Sequence, residues 1–525
     1  MKPDASVFAT LALVSVPLCQ YAQGTSQQQP NIVLIMCDDM GYSDLGCYGS
    51  EIRTPHIDSL AANGLRFSHF LNTGRSCPSR ASLLTGHYQH DVGMGWMTAV
   101  DEHRPGYRGQ VCREVPTIAE RMKEAGYMTY MAGKWHLTLE GAFGSPNGSY
   151  PVQRGFDRYY GCLSGGGSYS KPKPLYSGLN KIDSLPDDYY YTVALTDFAI
   201  KFVRQHPHDV PMFLYVAHYA PHLPLEAPAA RIEQCLARYK CGYDELRSRR
   251  FERQKLLGLM PYGSEMPIHD REFDGRRPAW DELTEVQQNE WIRSMATYAA
   301  MIEIVDEQVG RLIDVIRAEG MLDNTVFIFL SDNGASNEGG YIGQLMADLS
   351  NTPYRSYKQW CYYGGTASPL ILAYGGAAVG SGQGKVCTDM AHIIDIVPTC
   401  LDLAGIYSPD NNYGLPGVSL MDAVVGTGLG GRTFYFEHQG SSAVISDGWK
   451  LVRRGKDAPW ELIELCRDPF EMYDVSVEHP DVAKHLQSLW NEWAKDHKVL
   501  PLEDKPWTER IEYYKRLNPD QSGIE

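Results

Sequence analysis

Three short apolar runs constrain this chain more than anything else in it. Residues 31–37 read Asn-Ile-Val-Leu-Ile-Met-Cys, residues 212–217 Met-Phe-Leu-Tyr-Val-Ala, and residues 325–330 Thr-Val-Phe-Ile-Phe-Leu. Runs this short and continuous read as strands buried on both faces, and so point to an α/β fold with helices covering a mostly parallel sheet. Each stops at residues that carry chemistry. Asp38 and Asp39 follow the first, His218 and then Pro221-His222-Leu223-Pro224 the second, and Ser331-Asp332-Asn333-Gly334 the third. The carboxyl ends of central strands are where α/β sheets place ligands. Adjacent aspartates repel each other unless a cation lies between them, and hard oxygen donors suit Ca²⁺ or Mg²⁺. A solvated turn with a helix cap would use the same residues.

The stretch 72–88 adds a second kind of signal. Ser76, Pro78 and Arg80 form Ser-x-Pro-x-Arg, and Leu84-Thr85-Gly86 follows. Backbone ahead of a proline is pushed away from the helical region, whereas Pro78 suits the first turn of a helix running through residues 81–84. Ser76 would then sit at a helix N-terminus, where free amides favour an oxyanion such as sulfate, with Arg80 one turn in to brace it. An ordinary N-capping serine occupies the same place. After an expected strand at 128–132, Lys134 and His136 alternate along Gly-Lys-Trp-His and can share one face. Such a pair could bind an anion and protonate a departing oxygen, or could simply mark an exposed strand end. His222, set between prolines, sits on a fixed loop suited to an anion.

With 525 residues the chain is long enough for one large domain and a smaller one. Residues 1–24 read as a signal peptide, with Lys2, an apolar 7–18 core, and small or polar residues through Ala22 and Gly24. This implies export to the periplasm or beyond. A lipoprotein anchor at Cys19 is disfavoured by the bulky Leu18 before it, and no later run is long enough to span a bilayer. The expected division is a catalytic domain at 30–430 and a C-terminal α+β subdomain at 431–525, where short strands at 433–437, 443–446 and 449–453 precede a helix at 480–494. A net charge of −16 argues against non-specific nucleic-acid binding. The twelve cysteines contain no Cys-x-x-Cys pair, and Cys235 and Cys241 are close enough to form a local disulfide.

Taken in order, Asp-Asp, Ser-x-Pro-x-Arg, Gly-Lys-Trp-His, Pro-His-x-Pro, Ser-Asp-Asn-Gly and Lys358 ahead of Gly364-Gly365 resemble the type I sulfatases from residue 31 to about 500. The 351–354 Asn-Thr-Pro-Tyr and Pro278-Ala279-Trp280 look like the arylsulfatase-type bacterial branch. The resemblance implies the alkaline phosphatase superfamily fold: a large mixed, mostly parallel sheet sandwiched by helices, with a smaller C-terminal antiparallel sheet plus helix. It implies a sulfuric ester hydrolase in which a maturation enzyme oxidises Ser76 to Cα-formylglycine. One Ca²⁺ would be held by Asp38, Asp39, Asp332, Asn333 and the modified Ser76. Arg80 and Lys134 would hold the formylglycine hydrate, with His136 beside it, while His222 and Lys358 would bind the sulfate and protonate the leaving alcohol. The chain departs from the family at Gln359, where His is common, and at Tyr363, where Glu is common.

The expected substrate is a sulfated glycan, attacked at a terminal sulfated sugar such as galactose, or a small sulfate ester. Candidate sugar contacts are Asp101, Glu102, His103, Arg104, His218 and the Glu437-His438 pair. The alternatives are a phosphatase or phosphonate monoester hydrolase of the same superfamily, and a secreted glycan-binding protein whose Ser76 stays unmodified.

Overall fold

The structure, a computed structural model, describes residues 29–268, 277–375, 384–408, 410–505 and 507–517; the expected signal peptide lies outside them. Ten strands form one sheet: β1 (Asn31–Asp38), β2 (Gly64–Leu71), β3 (Met128–Gly133), β4 (Arg158–Cys162), β5 (Leu175–Ser177), β6 (Asn180–Ile182), β7 (Met212–Pro221), β8 (Thr325–Ser331), β9 (Leu370–Tyr374) and β10 (Lys385–His392). Their order is β10-β2-β9-β8-β1-β7-β3-β4-β5-β6. The centre is parallel, with β1 between β7 and β8 and Ile35 opposite Val216 on one side and Phe329 on the other. Strand β9 runs antiparallel to both neighbours, as do β5 and β6 at the far edge.

The apolar runs are continuous because both faces are covered. Val33, Ile35 and Cys37 of β1 join one core, together with Leu195, Ala199 and Val203 of the Tyr191–Arg204 helix and much of the long Glu285–Ala318 helix. Ile32, Leu34 and Met36 join the opposite core, with Ala81 and Leu84 of the Ser76–Thr85 helix and Val397 and Leu401 of the Ile396–Leu403 helix. Each fully buried Val, Leu, Ile or Met among them contributes about 1.5–3 kcal/mol.

A second, antiparallel sheet follows: β11 (Phe434–His438), β12 (Ser441–Ser446), β13 (Trp449–Arg453) and β14 (Glu461–Glu464). Val444, Leu451 and Leu462 face Trp490 and Trp493 of the Pro480–Asp496 helix. Phe436, Ile445, Val452 and Ile463 face the other way and belong to the same core as β1.

Several local readings change. Strand β14 is an addition, a four-residue Glu-Leu-Ile-Glu whose two apolar side chains point to opposite cores. Strand β7 extends to Pro221, which places His218 inside the strand, fully buried, rather than in a loop beyond it. The helix at the signature begins at Ser76 itself, with Arg75 as the N-cap residue, so the Ser76 hydroxyl caps nothing. The Cys235–Cys241 disulfide does not form. Cys235 is turned into the core with its sulfur 3.8 Å from Glu303 Oε2, whereas Cys241 lies past the end of that helix at the surface, 3.5 Å from the Arg238 carbonyl. Unreduced native protein should therefore react with a maleimide at Cys241 and at the exposed Cys466 while Cys235 stays protected; peptide mapping that found Cys235 joined to Cys241 would contradict this geometry.

Candidate functional site

The carboxyl ends of β1, β3, β7 and β8 meet the N-terminus of the Ser76–Thr85 helix at one point. Chain geometry there is unusual for its residue types. Asp39, directly after β1, has φ 66°, and His136, three residues past β3, has φ 58°. Left-handed φ is uncommon outside glycine, with Asp and His among the residues that adopt it most often, and such positions recur at functional sites. Gly133 supports the arrangement: at φ 122° its α-carbon passes so close to the Ala217 carbonyl that a β-carbon would meet that oxygen at 1.9 Å.

Around Ser76 the side chains interlock. The Ser76 hydroxyl lies 3.0 Å from Asp38 Oδ1 and 3.2 Å from Asn333 Oδ1. Arg80 donates from Nε and Nη2 to Asp332 Oδ2 at 3.1 and 2.9 Å, and from Nη1 to the Lys134 carbonyl at 2.9 Å. Lys134 Nζ donates to Asp38 Oδ2, which Arg80 also approaches at 3.6 Å. On the other side Lys358 Nζ lies 2.8 Å from Asp39 Oδ2 and 3.3 Å from His222 Nε2. Asn333 Nδ2 donates to Asp39 Oδ1 at 2.7 Å, and the Asp39 amide to Asp332 Oδ1 at 3.3 Å. Thus Ser76, Arg80, Lys134, His222, Lys358 and the four expected metal donors form one connected cluster. His136 is fully buried nearby, its amide bonded to the Leu163 carbonyl and its Nδ1 without a partner among the described residues.

Packing this many charges out of water shifts their proton affinities. Burial opposes charge on Asp38, but Lys134, His222, Arg80 and Lys358 outweigh it and hold the carboxyl well below its ordinary value. Asp332 moves the other way: burial, with the Asp38 charge beside it, pushes it up to about 7. Carboxylates that share a site separate in this manner. Burial, reinforced by Lys134 and Arg80, drives His136 well below the imidazole range, and burial also lowers His222. Burial opposes charge on Lys358, but Asp39, Glu338 and Asp38 together outweigh it and raise the ammonium.

The donor set fits a hard cation. Asp38, Asp39 and Asp332 are buried carboxylates and Asn333 Oδ1 faces Ser76 rather than a backbone donor. Oxygen-rich, anionic sites of this kind suit Ca²⁺. Ligand-capable atoms of Asp38, Asp39 and His222 all lie within 4.8 Å of one another. Lys134, Arg80 and Lys358 lie against these carboxylates, so the mutual repulsion expected from Asp38-Asp39 is already largely compensated by the protein's own cations.

The sugar-contact candidates are dispersed. Asp101 pairs with Arg108, Arg104 donates to the Pro501 carbonyl at 2.7 Å, and Glu102 pairs with Arg510. His103 is exposed beside Asp101. The 101–104 loop is thus tied to the C-terminal segment. Burial drives His218 down to about 3, so it stays neutral inside the sheet. His438 is buried at the end of β11 with both ring nitrogens unpartnered among the described residues, and Glu437 bonds His90 Nε2 at 2.7 Å.

Two residues that sequence reasoning passed over complete the rim. Glu338 Oε1 lies 3.3 Å from Arg75 Nη2 and 3.5 Å from Lys358 Nζ. Although burial opposes it, Lys358 and Arg75 hold the Glu338 carboxyl at about 2. Their places, one residue before Ser76 and five after Asn333, were the available signal.

Comparisons with known proteins agree with this geometry. Residues 30–406 match the Sulfatase family. The chain is 33% identical to the arylsulfatase of Klebsiella aerogenes over 438 residues, which take in 76% of this chain and 91% of that protein. It is 28% identical to the N-acetylgalactosamine-6-sulfatase of Mus musculus over 94% of this chain and 91% of that one. Among solved structures it is similar to Ps i-CgsB in complex with k-i-k-neocarrahexaose, at 25% identity and a TM-score of 0.68, covering 94% of this chain and 99% of that one.

Metal-stripped protein titrated with Ca²⁺ should gain thermal stability, by about 2.7 kcal/mol once free Ca²⁺ exceeds Kd a hundredfold. A melting temperature that stays constant across the titration would exclude a Ca²⁺ site among these residues.

Proposed function

This chain belongs to the formylglycine-type sulfatases of the alkaline phosphatase superfamily and is a sulfuric ester hydrolase; from that premise we propose that it removes sulfate from a terminal sugar of a sulfated glycan, galactose-like in kind, using an oxidised Ser76. The observation that carries the mechanism is the Ser76 hydroxyl at 3.0 Å from Asp38 and 3.2 Å from Asn333, at a helix N-terminus. Oxidised to Cα-formylglycine by a maturation enzyme, residue 76 supplies, as its hydrate, one oxygen to attack sulfur and another to expel sulfate afterwards. Asp38, Asp39, Asp332, Asn333 and the modified residue 76 would hold Ca²⁺, which when bound would supply positive charge to the sulfate. Arg80 and Lys134 fix the residue-76 oxygens, Arg80 itself held by Asp332 and the Lys134 carbonyl. His136, kept neutral by burial, offers a hydrogen bond without adding charge. His222 and Lys358, 3.3 Å apart, meet the bridging oxygen and deliver the proton that lets the alcohol depart. Charge that develops on the transferring group is met by side chains already in place, the arrangement that lowers barriers most.

Support for a terminal sugar comes from access. Ser76, Lys134 and Lys358 are each no more than 2% exposed, so the cluster suits a group presented at the end of a chain. Support for a galactose-like carbohydrate comes from the relatives, one described as an N-acetylgalactosamine-6-sulfatase and one bound to k-i-k-neocarrahexaose. The proposal includes export from the cytoplasm, resting on Lys2 and the apolar 7–18 run. Among the described residues no helix is long and apolar enough to cross a membrane.

Protein made with a maturation enzyme should carry a Ser76 peptide lighter by two hydrogens, and Ser76→Ala should release no sulfate while melting as the wild type does. Turnover by Ser76→Ala within a few-fold of wild type would remove Ser76 from the chemistry. His222→Ala and Lys358→Ala should each lower turnover on the order of a hundredfold or more, the usual cost of a lost transition-state donor; rates close to wild type would place them outside the reacting centre.

A further inference from the structure

Lys358 lies in the 351–366 loop, between the Gly340–Ser350 helix and β9, and no regular element holds it. The large domain ties the loop at several points: the Lys358 amide donates to the Ala335 carbonyl at 3.0 Å, the Gln359 amide to the Gly74 carbonyl at 2.7 Å, the Gly334 amide to the Gly365 carbonyl at 2.9 Å and Gln254 Nε2 to the Thr352 carbonyl at 2.8 Å. A second set of ties comes from the small sheet and the segment that follows it. The Tyr363 amide donates to Glu471 Oε2 at 2.6 Å, and Arg355 Nη1 to the Glu471 carbonyl at 2.7 Å. The Tyr362 hydroxyl donates to Glu461 Oε1 at 2.8 Å, and the Cys361 amide to Ser441 Oγ at 3.0 Å. Glu471 is itself gripped by Lys450, 2.5 Å from its Oε1, and Lys450 Nζ stands 4.0 Å over the Tyr363 ring.

Both members of this pair are fully buried. Taking two charges out of water is costly and a packed apolar pair would often serve stability as well, so a buried ion pair needs a reason other than strength. The reason on offer is position. One Glu471 oxygen is spent on Lys450, and the other on the backbone of the loop five residues after Lys358. Tyr363 is the residue so held.

We propose that Glu471, oriented by Lys450, is a positioning residue that sets Lys358 for its part in sulfate-ester cleavage. The proposal rests on the functional reading above. It makes the small sheet a working part of the catalytic centre rather than a cover. A displacement of the loop on the ångström scale would leave substrate binding nearly intact while misaligning the Lys358 ammonium, and misplacement of about 1 Å can cost about a hundredfold in rate. The loss would be greatest where the leaving oxygen most needs a proton. A sugar alkoxide needs one; 4-nitrophenolate leaves readily without it.

The test is a double-mutant cycle with Glu471→Gln and Lys358→Ala, assayed on 4-nitrophenyl sulfate and on the monosulfated sugar that wild type turns over fastest. Gln keeps the shape and an acceptor for the Tyr363 amide but removes the charge that fixes Lys450. The expected result is a fall in kcat of about tenfold or more on the sugar with KM little changed, a smaller fall on the nitrophenyl ester, and no further fall when Glu471→Gln is added to Lys358→Ala. A Glu471→Gln effect of equal size with and without Lys358, or no effect at all, overturns the proposal. Should Glu471→Gln fail to fold, Tyr362→Phe and Glu461→Gln at the outer end of the same tether are read through the same cycle. Wild type inactive on both esters would overturn the functional reading itself; active wild type with an additive cycle overturns only this inference.

Discussion

The structure depends on a balance of buried charge. Three carboxylates, Asp38, Asp39 and Asp332, stand at the ends of two neighbouring strands with almost no water to solvate them. They are tolerable because Lys134, Arg80 and Lys358 reach the same point from β3, the Ser76–Thr85 helix and the 351–366 loop. No local segment could assemble that balance. It needs a parallel sheet to bring strands distant in sequence side by side with their carboxyl ends level, and a helix aimed at those ends. The ten-stranded sheet, its two apolar cores and the left-handed turns at Asp39 and His136 can all be understood as what it takes to bring six opposed charges together in one dry place.

Much of this was legible in the sequence, for a physical reason. A strand buried on both faces has to be written as an unbroken apolar run, so β1, β7 and β8 stood out, and the residues just past them were bound to lie at one edge. The proline in Ser-x-Pro-x-Arg marked a helix start, and the structure puts Ser76 at that start. The candidates read at or just past strand and helix ends, Asp38, Arg80 and Asp332, meet there, and so do Lys134, His222 and Lys358, which lie outside any helix or strand.

What was not legible depends on contacts made across long sequence distances. Glu102 and Arg104 read as polar residues of an open loop, but Arg510 and Pro501, some four hundred residues later, occupy them. Cys235 and Cys241 are close in sequence, yet Cys235 faces inward from the Ala229–Tyr239 helix while Cys241 lies beyond its end at the surface. His218 looked like part of a strand-end loop because a histidine interrupts an apolar run, whereas the strand continues and buries it neutral. Arg75 and Glu338 had only their nearness in sequence to Ser76 and Asn333 to mark them; the packed rim shows that they share an oxygen-to-nitrogen contact beside Lys358.

The small sheet has a consequence for how the protein comes into being. Its strands form no ladder with the large sheet, yet one of its faces shares the large sheet's core and its following segment grips the 351–366 loop. Strands β1, β7 and β8 all precede residue 434 and can pair without it. The ring around Ser76 would then be nearly whole while the loop bearing Lys358 still lacks Ser441, Glu461 and Glu471. The C-terminal part of the chain therefore finishes what the large sheet begins: the sheet can hold its shape first, and the loop bearing Lys358 gains these last ties only once the small sheet has docked.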